Sequence, residues 1–174
     1  MNIKKGVLLI GLLMLVSGLL VVVVSNNPPE LIRYVIAASA LVSGVFAIRI
    51  SQRVETYKLS MKYIWLEGGA MILYAIAVAF FAGNLTYFIN ATGLFLLVFA
   101  VVEFAIVLQV LGNVAKPQFK RVLDKLAMMV IAAVGAVFIL TAAEMSNSVA
   151  LLIVGLITAA IGVGYIKTGR QVVA

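Results

Sequence analysis

Apolar residues fill six long runs of this chain, and polar residues are confined to the stretches between them. The runs cover about Gly6–Val24, Leu31–Ile50, Tyr63–Ala82, Phe88–Leu111, Leu126–Ala143 and Val149–Ile166. An α-helix needs roughly 20 residues to cross about 30 Å of hydrocarbon. A helix also pairs its backbone N–H and C=O groups within the span, which hydrocarbon requires. The pattern predicts an all-α, polytopic membrane protein with six transmembrane helices, forming one domain over residues 1–174.

The connections between the runs alternate in length and in charge. The first, third and fifth are the short turns SNNPPE, GNLTY and EMSNS, and the second and fourth are the basic linkers RISQRVETYKLSMK and NVAKPQFKRVLDK. Pro28 and Pro29 disfavour helix at the first turn. The alternation predicts three tight helical hairpins, at about residues 6–50, 63–112 and 126–168.

Basic residues mark one side of the predicted membrane. Of the 13 lysines and arginines, all but Arg33 lie near the termini or in the two linkers. Cytoplasmic segments of membrane proteins carry an excess of Lys and Arg. We therefore expect a protein of the inner (plasma) membrane with both termini in the cytoplasm and the short turns on the opposite side.

The composition narrows the chemistry. The chain is 65% hydrophobic and 11% charged, against about 25% charged in soluble domains. It has no cysteine and no histidine, which excludes disulfides, thiolate zinc sites, His-ligated haem and Cys or His nucleophile–base pairs. We expect no catalytic residues, no metal and no cofactor. The net charge of +7 forms no basic stripe interleaved with aromatic residues, so nucleic acid is not an expected partner.

The second helix of each hairpin repeats a pattern of small residues. Aligned without gaps, three sets of positions coincide: Ala37, Gly93 and Gly155; Gly44, Ala100 and Gly162; and Ala47, Glu103 and Tyr165. These spacings share one helical face. Small residues on such a face let helix backbones approach closely in a membrane. We interpret the pattern as one hairpin present three times; the alternative is coincidence, because Gly and Ala are common in membrane helices.

Two carboxylates fall inside the apolar runs. Glu103 lies nine residues before Gly112, which places it roughly 13 Å along the helix axis from that end. Glu67 follows Lys62 by five residues. In one hypothesis the two acids form a proton- or cation-handling pair, because intramembrane acids usually face a partner or a cavity. In the other they are structural: Glu103 would bond to Tyr74, Gln109 or a hydroxyl, and Glu67 would reach the interface or pair with Lys62.

The even-numbered helices carry a short repeated form, which reads GVFAI at residues 44–48, AVVEF at 100–104 and GVGYI at 162–166. This form, together with the length and the hairpin spacing, resembles the HdeD-like membrane proteins that are associated with acid resistance. The resemblance implies a six-span fold of hairpin repeats and a stress-related setting, with Glu103 as the family-like acid. In that family Pro often stands in each outer turn, whereas here it stands only in the first.

Three functions remain open from the sequence. The first is a non-enzymatic, HdeD-like membrane protein that acts by self-association under stress, with the lipid bilayer and copies of itself as partners. The second is an accessory subunit of a larger respiratory or transport complex. The third is a small proton- or cation-linked transporter that uses Glu103 and Glu67.

Overall fold

The computed structural model describes residues 3–26, 31–52, 58–112, 119–141 and 147–171. Side chains at 58–63, 109–110, 112, 119–121, 147 and 171 are not described. The elements are α1 (Ile3–Val24), α2 (Ile32–Ser51), α3 (Lys58–Ile76) with a π-helical turn at Ala77–Phe81, α4 (Leu85–Gly112), α5 (Phe119–Thr141) and α6 (Asn147–Gln171). The described part of the chain is helical throughout, apart from short connections, which confirms the all-α prediction.

All six helices are long and apolar enough to span a membrane. Their outward faces are apolar as well, with large exposed side chains on every helix, such as Val23, Val42, Leu73, Val101, Val134 and Leu156. A monomeric soluble protein rarely exposes a continuous apolar surface of this extent. The structure thus fits a multi-pass membrane protein.

Two helices begin five or more residues earlier than the apolar runs predict. Helix α3 begins at Lys58 rather than Tyr63, and α5 begins at Phe119 rather than Leu126. Hydropathy marks the part of a helix that suits hydrocarbon, whereas lysine, arginine and glutamine are themselves good helix formers. The helices therefore continue into the predicted basic linkers. The remainder of those linkers, and most of the first and fifth turns, lie outside the described residues.

The helices form a closed ring in chain order, in which neighbours run antiparallel and α6 returns to α1. The most extensive contacts pair α1 with α6, α4 with α5 and α2 with α3. Each of these pairs joins one predicted hairpin to the next. Contacts within the hairpins, between α1 and α2, α3 and α4, and α5 and α6, are also present but smaller. The triplication itself stays a prediction.

Glycines explain the close approach of α1 to α6 and of α2 to α3. A Cβ on Gly44 would lie 2.6 Å from the carbonyl oxygen of Gly68, and one on Gly162 would lie 2.5 Å from the backbone nitrogen of Leu15. A Cβ on Gly155 would lie 2.7 Å from the carbonyl oxygen of Gly18. These helices touch through their backbones, so dispersion contacts replace the hydrophobic driving force that lipid does not supply.

The α4–α5 contact has a different composition. A Cβ on Gly93 would lie 2.9 Å from the side chain of Leu140, so this glycine faces a side chain rather than a backbone. Ala100 on α4 is buried, as are Ala132 and Ala136 on α5. Larger side chains therefore fill part of this interface, and it is the interface that also carries charge.

Arg33, the basic residue that the charge pattern sets apart, has a structural role. Its Nη1 donates a hydrogen bond to the carbonyl oxygen of Ala82 at 2.7 Å. That carbonyl directly follows the π-helical turn that ends the third helix, where Ala82 N–H bonds back to Ala77 at 3.1 Å. Carbonyls at a helix end have no intrahelical donor, and a cation suits the negative end of the helix dipole. Arg33 thus ties α2 to the end of its neighbour.

Candidate functional site: a buried acid cluster

Glu103 is sealed inside the bundle and paired. Its side chain is 0% exposed, and Lys125 Nζ on α5 donates to its Oε1 at 2.5 Å. The lysine side chain is itself only 17% exposed. Charge-assisted hydrogen bonds are the strong ones, and breaking a buried pair leaves an uncompensated charge. This bond therefore links α4 to α5 in the interior.

Glu67 belongs to the same cluster but has a different environment. It is 3% exposed, on α3, and the charges that act on it most strongly are those of Lys125 and Glu103. Its Oε1 has no hydrogen-bond partner within the described residues, and the same holds for Oε2 of Glu103. Among the described side chains, two carboxyl groups thus interact with one ammonium group.

Tyr165 completes the cluster from α6. The Lys125 ammonium lies 5.3 Å from the centre of its ring, within the range of a cation–π contact. The Tyr165 hydroxyl is buried and, in the described part of the chain, unpartnered. Ala47, which occupies the corresponding position on α2, is buried too. The third aligned set of the sequence, Ala47, Glu103 and Tyr165, therefore faces the interior on all three helices.

An aromatic column leads from this cluster toward the middle of the bundle. Tyr165 contacts Phe99 with ring centres 6.3 Å apart, Phe99 contacts Phe95 at 6.2 Å, and Phe95 stacks on Tyr74 at 4.5 Å. Tyr74 in turn bonds to Thr92 at 2.8 Å. The column fills the core beside the acids with side chains that carry few polar atoms.

The local sequence places each charged side chain inward by helical periodicity. On α4, Glu103 continues the stripe of Phe99, Leu96 and Thr92, all of them buried. On α5, Lys125 continues the buried stripe Met128, Ala132, Ala136 and Ile139. Residues at these spacings lie on one face of a helix. Because both stripes face the bundle interior, the two charged groups meet there.

The sequence-predicted site residues divide into two groups. Glu103 and Glu67 come together in one cluster. The small residues Ala37, Gly44, Gly93, Ala100, Gly155 and Gly162 are all buried, and the glycines among them contact neighbouring helices as described above. They contribute no polar group to the acid cluster.

Sequence reasoning misses the partner of Glu103. It points to Tyr74, Gln109 or a hydroxyl, but Tyr74 bonds to Thr92 instead, and the ion pair is made by Lys125. The side chains of Gln109 and of Lys62, the suggested partner of Glu67, lie outside those described. The charge pattern assigns Lys125 to the basic linker. The sequence feature that could have indicated Lys125 is its spacing, since it lies on the same helical face as the small residues Ala132 and Ala136.

The cluster contains groups suited to proton exchange and to charge pairing. Within the described residues, no group of three or more acidic, histidine or cysteine side chains could hold a metal ion. Two carboxyls around one ammonium form a site that can take up one proton or one small cation. Comparisons with protein-family models, with curated proteins and with solved structures find no match for this chain.

Proposed function

We propose that this chain is a non-enzymatic, HdeD-like multi-pass protein of the inner membrane, with both termini cytoplasmic, whose core binds a proton. In this proposal Glu103 and Lys125 form a permanent ion pair, and Glu67 carries the exchangeable proton. The observation that carries the proposal is the count of charges among the described side chains of the buried cluster: two carboxyls, Glu67 and Glu103, act on one lysine, Lys125.

The energetics follow from burial. An isolated charge at such depth costs several kcal/mol, whereas a pair with good geometry offsets its desolvation. Lys125 compensates one carboxylate, and it is hydrogen-bonded to Glu103. A second carboxylate would give the cluster a net charge of −1. A proton on Glu67 removes that charge. It also adds a hydrogen-bond donor to a cluster in which two acceptor oxygens, Glu67 Oε1 and Glu103 Oε2, have no partner among the described residues.

Proton binding makes the stability of the bundle depend on pH in a defined direction. In the unfolded chain Glu67 meets water and ionises near its ordinary pKa of about 4.3. Over the pH range in which Glu67 is ionised in the unfolded chain and still protonated in the folded one, the folded state holds one more proton, so stability falls as pH rises, by about 1.4 kcal/mol per pH unit. The bundle is therefore most stable on the acidic side, down to the pH at which Glu103 also takes a proton.

The test compares Glu67→Gln with the native protein in detergent unfolding experiments between pH 5 and pH 8. Glutamine imitates the protonated acid, so we expect a stability near that of the native protein at pH 5 and loss of the pH slope. Glu144→Gln, in a connection between two apolar runs, is the matched control and keeps the slope. A native protein with no slope, or a Glu67→Gln variant that retains it, contradicts the proposal.

A second candidate function is proton- or cation-linked transport through the same acids. It is favoured by the two orphaned acceptors, Glu67 Oε1 and Glu103 Oε2, which could receive a cation as readily as a proton. Transport predicts that Glu103→Gln abolishes flux in liposomes while the fold stays intact. The structural role predicts instead that Glu103→Gln lowers thermal stability or changes the oligomeric state, with no flux to lose.

Self-association and the stress setting are proposed from the resemblance and from the lipid-facing apolar surface. Extraction in mild detergent should yield homo-oligomers, whereas stoichiometric foreign partners would instead favour the accessory-subunit function. Because the chain has no cysteine, single introduced cysteines report the topology directly. We expect cysteines placed at the termini to be labelled only after the inner membrane is made permeable.

A further inference from the structure

A small cavity lies at the centre of the ring, and its mostly apolar wall carries several hydroxyl groups. Its volume is about 30 Å³. Helices α1, α2, α3, α4 and α6 all contribute to its wall, and six hydroxyl side chains line it: Ser17, Ser39, Ser43, Tyr74, Thr92 and Thr158. Met71 lines it as well and lies one helical turn from Glu67 on α3. Polar groups therefore continue from the acids into the middle of the bundle.

Most of these hydroxyl groups already donate a hydrogen bond to another atom of the protein. Ser17 donates to the carbonyl oxygen of Leu13 at 2.6 Å, and Thr158 donates to that of Val154 at 2.8 Å. Such bonds to the preceding turn satisfy the hydroxyl hydrogen and leave lone pairs on the oxygen, one of which, on Ser17, accepts a hydrogen bond from Ser39 at 3.3 Å. These two walls of the cavity thus present acceptors.

The Tyr74–Thr92 bond can be assigned a direction by the same reasoning. Thr92 donates its proton to the carbonyl oxygen of Phe88 at 2.8 Å, so Tyr74 is the donor in its 2.8 Å bond to Thr92. Tyr74 then keeps free lone pairs. A molecule that binds to the oxygens of Ser17, Thr158 and Tyr74 must therefore donate hydrogen bonds to them.

Ser43 adds an unsatisfied group. Its side chain is 1% exposed, and its Oγ lacks a hydrogen-bond partner in the described part of the chain. A buried hydroxyl without a partner is destabilising, because it has given up its bonds to water. Apolar cavities stay dry, but polar cavities hold water when they offer about 10–15 Å³ for each molecule and two to four polar contacts. This cavity has the volume for water, and the hydroxyl oxygens on its wall offer polar contacts.

We infer that the hydroxyl-lined cavity is a binding site for internal water, held by the lone pairs of Ser17, Tyr74 and Thr158 and by the hydroxyl of Ser43. Water is the small donor that this wall of acceptors selects. The bound molecules hydrate the core one turn from Glu67. The inference does not depend on the proton assigned to Glu67, because the cavity has its own polar groups.

X-ray hydroxyl-radical footprinting of the purified protein tests the site, because bound water forms radicals in place that oxidise adjacent methionines to the sulfoxide. Met71 and Met14 line the cavity, whereas Met128 does not; Met128 is 2% exposed, which matches Met71 at 1%, while Met14 is 8% exposed. We expect oxidation of Met71 and Met14 at rates several times that of Met128. Equal protection of all three would overturn the inference.

Two variants show whether the radicals come from the cavity. Ser43→Val fills part of the space and removes the hydroxyl, so oxidation of Met71 should be lost, while Ser43→Ala keeps the space and retains it. Should Ser43→Val fail to fold, the isosteric Thr158→Val removes an acceptor and should also lower Met71 oxidation. Unchanged Met71 oxidation in a folded Ser43→Val or Thr158→Val protein would contradict a cavity source.

Discussion

The substitution Lys125→Met removes the ammonium group that pairs with Glu103 and keeps a side chain of similar length. It leaves Glu103, which is 0% exposed, without its 2.5 Å partner, and it removes the compensating charge near Glu67. Removing one partner of a buried ion pair destabilises a protein by roughly 3–5 kcal/mol. We expect a loss in this range at pH 8 and a smaller one at pH 5, where Glu103 can take a proton.

Unfolding in mixed detergent micelles, followed by the fluorescence of Trp65, measures this loss. Trp65 is the only tryptophan of the chain and lies two residues before Glu67. Lys167→Met, at an exposed lysine of α6, is the matched control and should change stability by less than about 0.5 kcal/mol. The double variant Lys125→Met with Glu103→Gln should recover part of the loss, since no charge is then left unpaired at that position.

The buried ion pair is refuted as a stabilising contact if Lys125→Met costs less than about 1 kcal/mol, the usual upper value for an exposed pair. It is equally refuted if the double variant is as unstable as the sum of the two single variants, because coupled partners do not add.

Further predictions concern the helix contacts and the end of the third helix. Gly18→Ala should lower stability by about 1–3 kcal/mol, because its Cβ would meet the backbone of α6, whereas Gly69→Ala, with nothing within 4 Å, should be neutral or stabilising by up to about 1 kcal/mol; equal effects in unfolding experiments would contradict the packing. Arg33→Met should cost about 1.5–3 kcal/mol through the lost bond to Ala82, while Arg49→Met, at an exposed position, should be nearly neutral. Amide hydrogen exchange should also rise near residue 82 in Arg33→Met, and no change there would exclude the capping role.

The number and type of the helices follow from the sequence because long apolar runs have few alternatives. Any run of this length must satisfy its own backbone in lipid, so hydropathy alone predicts six helices. The starts of α3 at Lys58 and of α5 at Phe119 could not be predicted from hydropathy. Hydropathy measures the preference for hydrocarbon, and both helices extend beyond their apolar runs. The repeated small residues correctly indicate close helix contacts, but they do not reveal that the closest ones join α6 to α1 and α2 to α3.

The two acids of the cluster could be predicted from the sequence, but their lysine partner could not. Glu103 and Glu67 stand out because a carboxylate inside an apolar run demands a partner. Lys125 does not stand out, because a lysine near the start of a run also fits a basic linker, and only its place in the ring turns it toward Glu103. The hydroxyl-lined cavity could not be predicted, since its hydroxyl groups come from five helices and Ser and Thr are common in membrane helices.

The central claim is that Glu67 holds a proton inside the folded bundle at neutral pH. Infrared spectroscopy of the purified protein in lipid at pH 7 tests it directly, because a protonated carboxyl group has a C=O stretching band that is separate from the carboxylate bands. Acids in contact with water are ionised at this pH and contribute no such band. The account predicts one carboxylic band in the native protein that is absent in Glu67→Gln and present in Glu144→Gln. A native protein without this band at pH 7 would contradict it.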